Sequence, residues 1–255
     1  MSHTKLPTLE SERRAYAYCQ SCPKLCRFSC PTAEADRSES ATPWANMGTG
    51  YVLEASNRDL DEATAEAALA CSGCMRCGEN CAHHNDVPRG LVAVRSEAAK
   101  LGLLPAGVHR LKERFEQHRA PFEASLPELA AKAGAGPGGT YFPGCTALVK
   151  EPGLVKDALS SAKAVGLKLG VSPLAGQCCG YPLYAAGLLK EFEAHAKRVG
   201  EAAPDPSAGP LVVGDPGCAF TFLKLYPQVG VKLPEVRLWV DEVAARLPVQ
   251  PRGKT

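Results

Sequence analysis

Residues 71–81 read Cys-Ser-Gly-Cys-Met-Arg-Cys-Gly-Glu-Asn-Cys, with Cys71, Cys74, Cys77 and Cys81 spaced C-x2-C-x2-C-x3-C. Three thiols crowded into one tight loop can reach three corners of a single iron–sulfur cubane, while the fourth is carried farther along the chain. A second run stands upstream at residues 19–31, Cys-Gln-Ser-Cys-Pro-Lys-Leu-Cys-Arg-Phe-Ser-Cys-Pro. It supplies Cys19, Cys22, Cys26 and Cys30, with one extra residue between its second and third cysteines. Zinc favours two separated C-x2-C pairs that close one tetrahedron. Two complete four-cysteine runs match two [4Fe–4S] clusters better, in ligand softness and in spacing.

The paired runs resemble those of two-cluster ferredoxins, in which the fourth cysteine of each run serves the other cluster. The resemblance implies that Cys19, Cys22, Cys26 and Cys81 hold one cubane. It implies that Cys71, Cys74, Cys77 and Cys30 hold the other. So many close thiolates repel one another unless a metal core neutralises them. Cluster binding is therefore expected to be coupled to folding of this part. His83 and His84 follow the last ligand, but each run already has four cysteines. Lys24, Arg27 and Arg76 sit beside ligands, either to favour the reduced cluster or simply as solvated charges.

The bulk numbers agree with an ordinary globular protein. Lys plus Arg is 29 and Asp plus Glu is 27 among 255 residues, so no basic excess points to nucleic acid. Twelve cysteines are the outlier. The opening stretch, residues 1–18, is polar and charged with no apolar signal core, and no apolar run approaches a membrane span. The expectation is a reducing cytoplasm, where clustered thiols mean metal or redox chemistry, with any membrane attachment peripheral and through a partner.

Up to about residue 130 the pattern reads as helix and loop. Residues 8–18 form a short helix, and the stretch 60–70 is a strong helix with an acidic first turn. Asp86 can cap a helix with Pro88 in its first turn, and an apolar stripe predicts another over 106–119. Pro43, Trp44, Gly48 and Gly50 predict a loop between the two cysteine runs. Residues 133–139, Ala-Gly-Ala-Gly-Pro-Gly-Gly, predict a flexible linker. Beyond it, strands are expected at 140–142, 167–171 and 211–213, alternating with helices near 153–165, 185–199 and 218–226. A last helix is expected over 238–247. Alternation of this kind argues for a parallel sheet.

Four further cysteines punctuate this second part. Cys145 and Cys218 end two Pro-Gly-Cys turns, each after a predicted strand, where open α/β sheets bind ligands. Cys178 and Cys179 lie in Gln-Cys-Cys-Gly-Tyr-Pro, where Gly180 lets the backbone approach a bound group. This set resembles the cysteine-rich CCG domain. The chain as a whole resembles heterodisulfide reductase catalytic subunits and the iron–sulfur subunits of glycolate, lactate and glycerol-3-phosphate dehydrogenases. The resemblance implies an α plus α/β fold. An α-helical ferredoxin-type domain over 1–132 would precede a small parallel-sheet α/β CCG domain over 140–250. The family usually carries two CCG repeats ending in C-x-x-C; here one is present, and Thr221 stands where the last cysteine would be. In the reductases the resemblance implies a non-cubane [4Fe–4S] centre that splits a disulfide. In this chain Cys145, Cys178, Cys179 and Cys218 could hold a third iron–sulfur centre or a zinc, or act as redox thiols.

Other signals fail. Gly253-Lys254-Thr255 is half of a phosphate loop without a following helix, and Gly134, Gly136 and Gly138 precede a strand instead of following one. With no flavin or nicotinamide site, the chain is expected to exchange electrons with a flavoprotein dehydrogenase or electron-transfer subunit. The acceptor would be a quinone, through a membrane quinone-reactive subunit, or a thiol or disulfide. The reading leans to an enzyme as such a subunit. The rivals are a stand-alone disulfide reductase at the four CCG cysteines and a redox sensor or scaffold. A homodimer could supply a second CCG unit by symmetry.

Overall fold

Caps written into the sequence set several helix starts in the computed structural model, which describes residues 5–56, 59–204 and 209–247. The first helices are α1 (Arg13–Gln20), α2 (Pro31–Asp36), α3 (Pro43–Ser56), α4 (Glu62–Leu69) and α5 (Arg76–Glu79). Then come α6 (Val87–Leu101), α7 (Ala106–His118) and α8 (Leu126–Lys132). Asp61 accepts from the Thr64 amide at 2.8 Å, and Asp86 from the Arg89 amide at 3.0 Å. These bonds satisfy amides that a helix start leaves free. Gly102 closes α6 in the left-handed region.

The chain divides into two compact units. One comprises Lys5–Glu113 together with Pro182–Phe192. Its core gathers Tyr16, Met47, Leu53, Ala68, Val87, Leu91 and Val94. The predicted loop between the cysteine runs is instead largely helical, and the glycines that suggested a loop are packing devices. A Cβ on Gly50 would stand 2.3 Å from the Tyr16 ring, so only glycine lets α3 approach α1. The Tyr16 hydroxyl then donates to the Gly90 carbonyl at 2.7 Å. Arg95, buried, donates to the Ala68 and Cys71 carbonyls at 2.9 Å, and also to that of Ala185.

The other unit comprises Arg114–Tyr181 and the described residues from Glu193 onward. It carries the sheet: β1 (Tyr141–Phe142), β2 (Leu211–Val213) and β3 (Val236–Leu238), all parallel in the order β1-β2-β3. Tyr141 pairs with Val212, and Val213 with Leu238. Its helices include α9 (Cys145–Lys150), α10 (Pro152–Ala164), α11 (Tyr181–Ala185) at its first residue, and α12 (Leu189–Glu201) from Glu193. After β2 follow α13 (Pro216–Phe220), a π-helical turn at Thr221–Leu225, and α14 (Trp239–Ala244). Phe142, Phe222 and Tyr226 stack edge to face with centroids 5.1 Å apart at each step.

The strand expected at 167–171 shrinks to one parallel bridge, Tyr141 with Val171. β1 is only two residues long, so its second edge has no room for a longer ladder. The third strand is β3, whose half-exposed residues with Glu235 and Arg237 hid it from an apolar-run criterion. The stretch 133–139 is built into the unit. The Gly136 amide donates to Val171 O at 3.2 Å, and a Cβ on Gly139 would stand 2.0 Å from that same oxygen. Upstream, Pro127 of α8 packs on Gly176. The compact units divide after Glu113, with Pro182–Phe192 grouped with the first. Among the described residues no helix is long and apolar enough to cross a membrane. Residues 253–255 lie outside the described residues.

Candidate metal centres

Each cysteine run is bent by left-handed residues. Lys24 has φ 66°, immediately before a 3-10 helix at Leu25–Ser29, and absorbs the extra residue of the first run. Gly73 and Met75, with φ 74° and 62°, curl the second. Holding a non-glycine residue there costs roughly 1–2 kcal/mol, and the effect is a tight bend in each run.

The thiols line two cavities in the helical unit. Cys19, Cys22, Cys26 and Cys81 share the first, with Trp44, His83 and Asn85 in its wall. Cys30, Cys71 and Cys74 share the second, walled by Val87, Pro88 and Leu91. Cys77 borders both. Each cavity thus draws cysteines from both runs. Cys30 reaches the second cavity as the N-cap of α2, its sulfur accepting from the Ala33 amide at 3.5 Å. Other donors already point at sulfur: the Gly73 amide at Cys71, 3.4 Å, and the Asn85 side-chain amide at Cys19, 3.3 Å.

Burial pushes the Cys19 thiol up to about 11, against the Asn85 hydrogen bond, and the neighbouring Cys26, Cys81 and Cys22 add to the rise. Burial likewise pushes Cys77 up to about 12, with Cys71, Cys26 and Cys74 adding to it. Cys26 and Cys71 also rise, chiefly by burial. Ligation requires thiolate, so these sites need a cationic core to ionise them. Among the described residues no three His, Cys, Asp or Glu side chains close around a single ion. Four thiolates on one zinc would lie roughly 3.8 Å apart. The cysteines line the walls of two cavities, and the number and softness of these donors fit what an iron–sulfur cluster would require.

The charged neighbours divide in role. Lys24 Nζ sits 3.7 Å from the Trp44 ring centroid, whereas Arg27 forms an ion pair with Glu39. His83 stacks on Tyr18 with centroids 5.2 Å apart.

The α/β unit assembles the remaining four cysteines at the carboxyl ends of β1 and β2. Cys145 begins α9, and Asp215 caps α13 by accepting from the Cys218 amide at 2.9 Å. Gly144, with φ 90°, brings the two Pro-Gly-Cys turns together: its Cβ would lie 3.0 Å from that of Asp215 and 3.5 Å from Cys218 Sγ. Cys145 and Cys178 stand 3.6 Å apart, sulfur to sulfur. Cys179 is lowered by hydrogen bonds from Cys178 and Cys218, whose own thiols are raised in return. The Thr221 side chain, buried, reaches Cys179 as well. All four thiols are enclosed, none more than 7% exposed. All twelve cysteines of the chain are free thiols.

Two residues that the sequence reading passed over hold the Cys178–Cys179 turn. His195 Nε2 bonds the Cys178 carbonyl at 2.7 Å, and the Tyr226 hydroxyl donates to that of Cys179 at 3.1 Å. Both lie on buried helical faces, His195 among Phe192, Ala196 and Val199, where a core role explains them equally well. The missed signal was a His and a Tyr with polar ends in fully packed helical faces.

Residues 139–223 match the family model of the CCG cysteine-rich domain, a stretch holding all four of these cysteines and Thr221. No curated protein and no solved structure matches the chain. The chain therefore carries a cysteine-rich domain of the kind typical of iron–sulfur electron-transfer subunits of oxidoreductases.

Proposed function

We propose that this chain is the iron–sulfur electron-transfer subunit of an oxidoreductase. It takes electrons from a flavoprotein partner and delivers them to a quinone or to a thiol or disulfide acceptor. The observation that carries this reading is the pair of cavities in the helical unit, each ringed by cysteines from both runs. Cys19, Cys22, Cys26 and Cys81 would hold one [4Fe–4S] cluster, and Cys71, Cys74, Cys77 and Cys30 the other. Such clusters, when bound, accept and release one electron at a time. The chain's own part is to present thiolates, exclude water with Val87, Leu91 and Trp44, and aim N–H donors at sulfur. Burial at Cys19 and Cys77 would keep reorganisation small on that side of each site.

In the α/β unit, Cys145, Cys178, Cys179 and Cys218 would form a third redox centre, as cluster ligands or as thiols. Their enclosure favours a relay over direct attack on a bulky disulfide, because a substrate sulfur must reach the thiolate it exchanges with. Strictly anaerobic purification, with iron, sulfide and zinc counted per chain, tests the reading. About eight irons indicate the two cubanes, and about twelve add a third centre. Colourless, iron-free protein sinks it. Co-purification of a yellow flavoprotein supports the assigned partner, and absence of electron exchange with any reduced flavoprotein counts against it.

A further inference from the structure

Trp44 stands in the first turn of α3 and lines the cavity of Cys19, Cys22, Cys26 and Cys81. Its backbone amide already bonds the Cys26 thiol. Its indole Nε1 is buried and has no hydrogen-bond partner among the described residues. The other tryptophan, Trp239, donates to the Ala158 carbonyl at 3.2 Å. An indole N–H can only donate, and a buried donor left unmade costs about 1–3 kcal/mol. The missing partner must be an acceptor. The cavity wall also holds Tyr18, Asn80, His83 and Asn85, but His83 stacks on Tyr18, Asn80 donates to the Arg76 carbonyl, Asn85 donates to the Ala15 carbonyl and the Cys19 sulfur, and none of them bonds the indole. Lys24, whose ammonium lies over the same ring, withdraws electron density and sharpens the donor.

We infer that the indole N–H of Trp44 hydrogen-bonds a sulfur atom of the cluster held by Cys19, Cys22, Cys26 and Cys81 and raises that cluster's reduction potential. The inference rests on the reading of the helical unit as a cluster carrier. Reduction adds one electron, supplied by a flavoprotein or by dithionite, and no proton need move. The sulfur becomes more negative, the N–H bond to it strengthens, and the reduced form gains more than the oxidised form.

The test uses the full chain, purified anaerobically with both clusters, and carrying 15N at the tryptophan indole nitrogens. After dithionite reduction, pulsed electron paramagnetic resonance should show one indole 15N coupling, retained in Trp239→Phe and absent in Trp44→Phe. In a redox titration Trp44→Phe should lower one midpoint potential and leave the other in place. Loaded wild-type protein without an indole coupling overturns the inference, as does a Trp44→Phe protein with full iron and unmoved potentials. If Trp44→Phe does not load, the wild-type and Trp239→Phe spectra decide alone. Iron-free wild-type protein overturns the carrier reading and this inference with it.

Discussion

The imidazole of His195 donates from Nε2 to the carbonyl oxygen of Cys178 at 2.7 Å, leaving Nδ1 to accept from Arg198 at 3.5 Å. The ring is buried, and Phe115 meets it edge-on. Burial lowers its pKa below the ordinary value, against the Cys178 carbonyl bond, and the positive charges of Arg198 and Arg119 lower it further. The unfolded chain therefore takes up a proton that the folded ring refuses. Stability from this group is full above the unfolded value of about 6.5 and declines as pH falls through it. The denaturation midpoint of the α/β unit should drop as pH falls from about 7 to about 5. His195→Gln, which keeps a donor for the Cys178 carbonyl, should flatten that profile. A wild-type midpoint unchanged across this range would contradict the assignment.

Exchange of the fourth cysteines between the two runs gives a sharper expectation. Cys30 lines the cavity of Cys71 and Cys74, and Cys81 lines that of Cys19, Cys22 and Cys26. Cys30→Ser and Cys71→Ser should each lose about four irons and leave the same surviving resonance signal. Cys81→Ser and Cys19→Ser should leave the other signal. If Cys30→Ser instead leaves the signal that Cys19→Ser leaves, the ligand sets are not crossed.

The grouping of the clustered cysteines was legible because they lie close in sequence: Cys71, Cys74 and Cys77 all line one cavity. The α/β alternation was legible at Tyr141–Phe142 and Leu211–Val213 because both strands are fully buried and apolar. α3 was not, because Gly50 answers to Tyr16, a residue 34 positions away, and local propensity cannot register such a contact. The stretch 133–139 misled for the same reason: Gly139 fits against the Val171 carbonyl, which also accepts from the Gly136 amide. Trp44, His195 and Tyr226 carry no local signature at all. Only their polar ends, set among buried neighbours, distinguish them from core residues.

Two glycines two residues apart in α3, Gly48 and Gly50, should respond oppositely to alanine. At Gly50 a Cβ would stand 2.3 Å from the Tyr16 ring, which is buried and tied to the Gly90 carbonyl, so neither can yield cheaply. Overpacking of this kind costs about 1–3 kcal/mol. At Gly48 the nearest atom is the flexible end of Gln20 at 3.5 Å. There alanine should stabilise by roughly 0.5–1 kcal/mol through helix propensity. Denaturant titration of the loaded variants measures both, and equal midpoints would refute the packing account of α3.

The ion pair of Glu12 and Arg89 lies in the same unit, 2.9 Å apart with both side chains at most 5% exposed. Arg89 also donates to the Lys5 carbonyl at 2.7 Å, so it fixes the segment leading into α1. Two charges so enclosed contribute little net stability, because desolvation offsets their attraction, but one without the other is costly. Arg89→Met should therefore destabilise by about 3–5 kcal/mol, with the Glu12 carboxylate stranded. Glu12→Gln added to that variant should recover part of the loss, since the buried charge is then gone. The double-variant cycle, read by denaturant midpoint and by iron retained per chain, separates charge burial from anchoring. Recovery of stability without recovery of iron would assign Arg89's remaining role to holding the segment that precedes Cys19, and no recovery of either would show that the pair does not act through its charges.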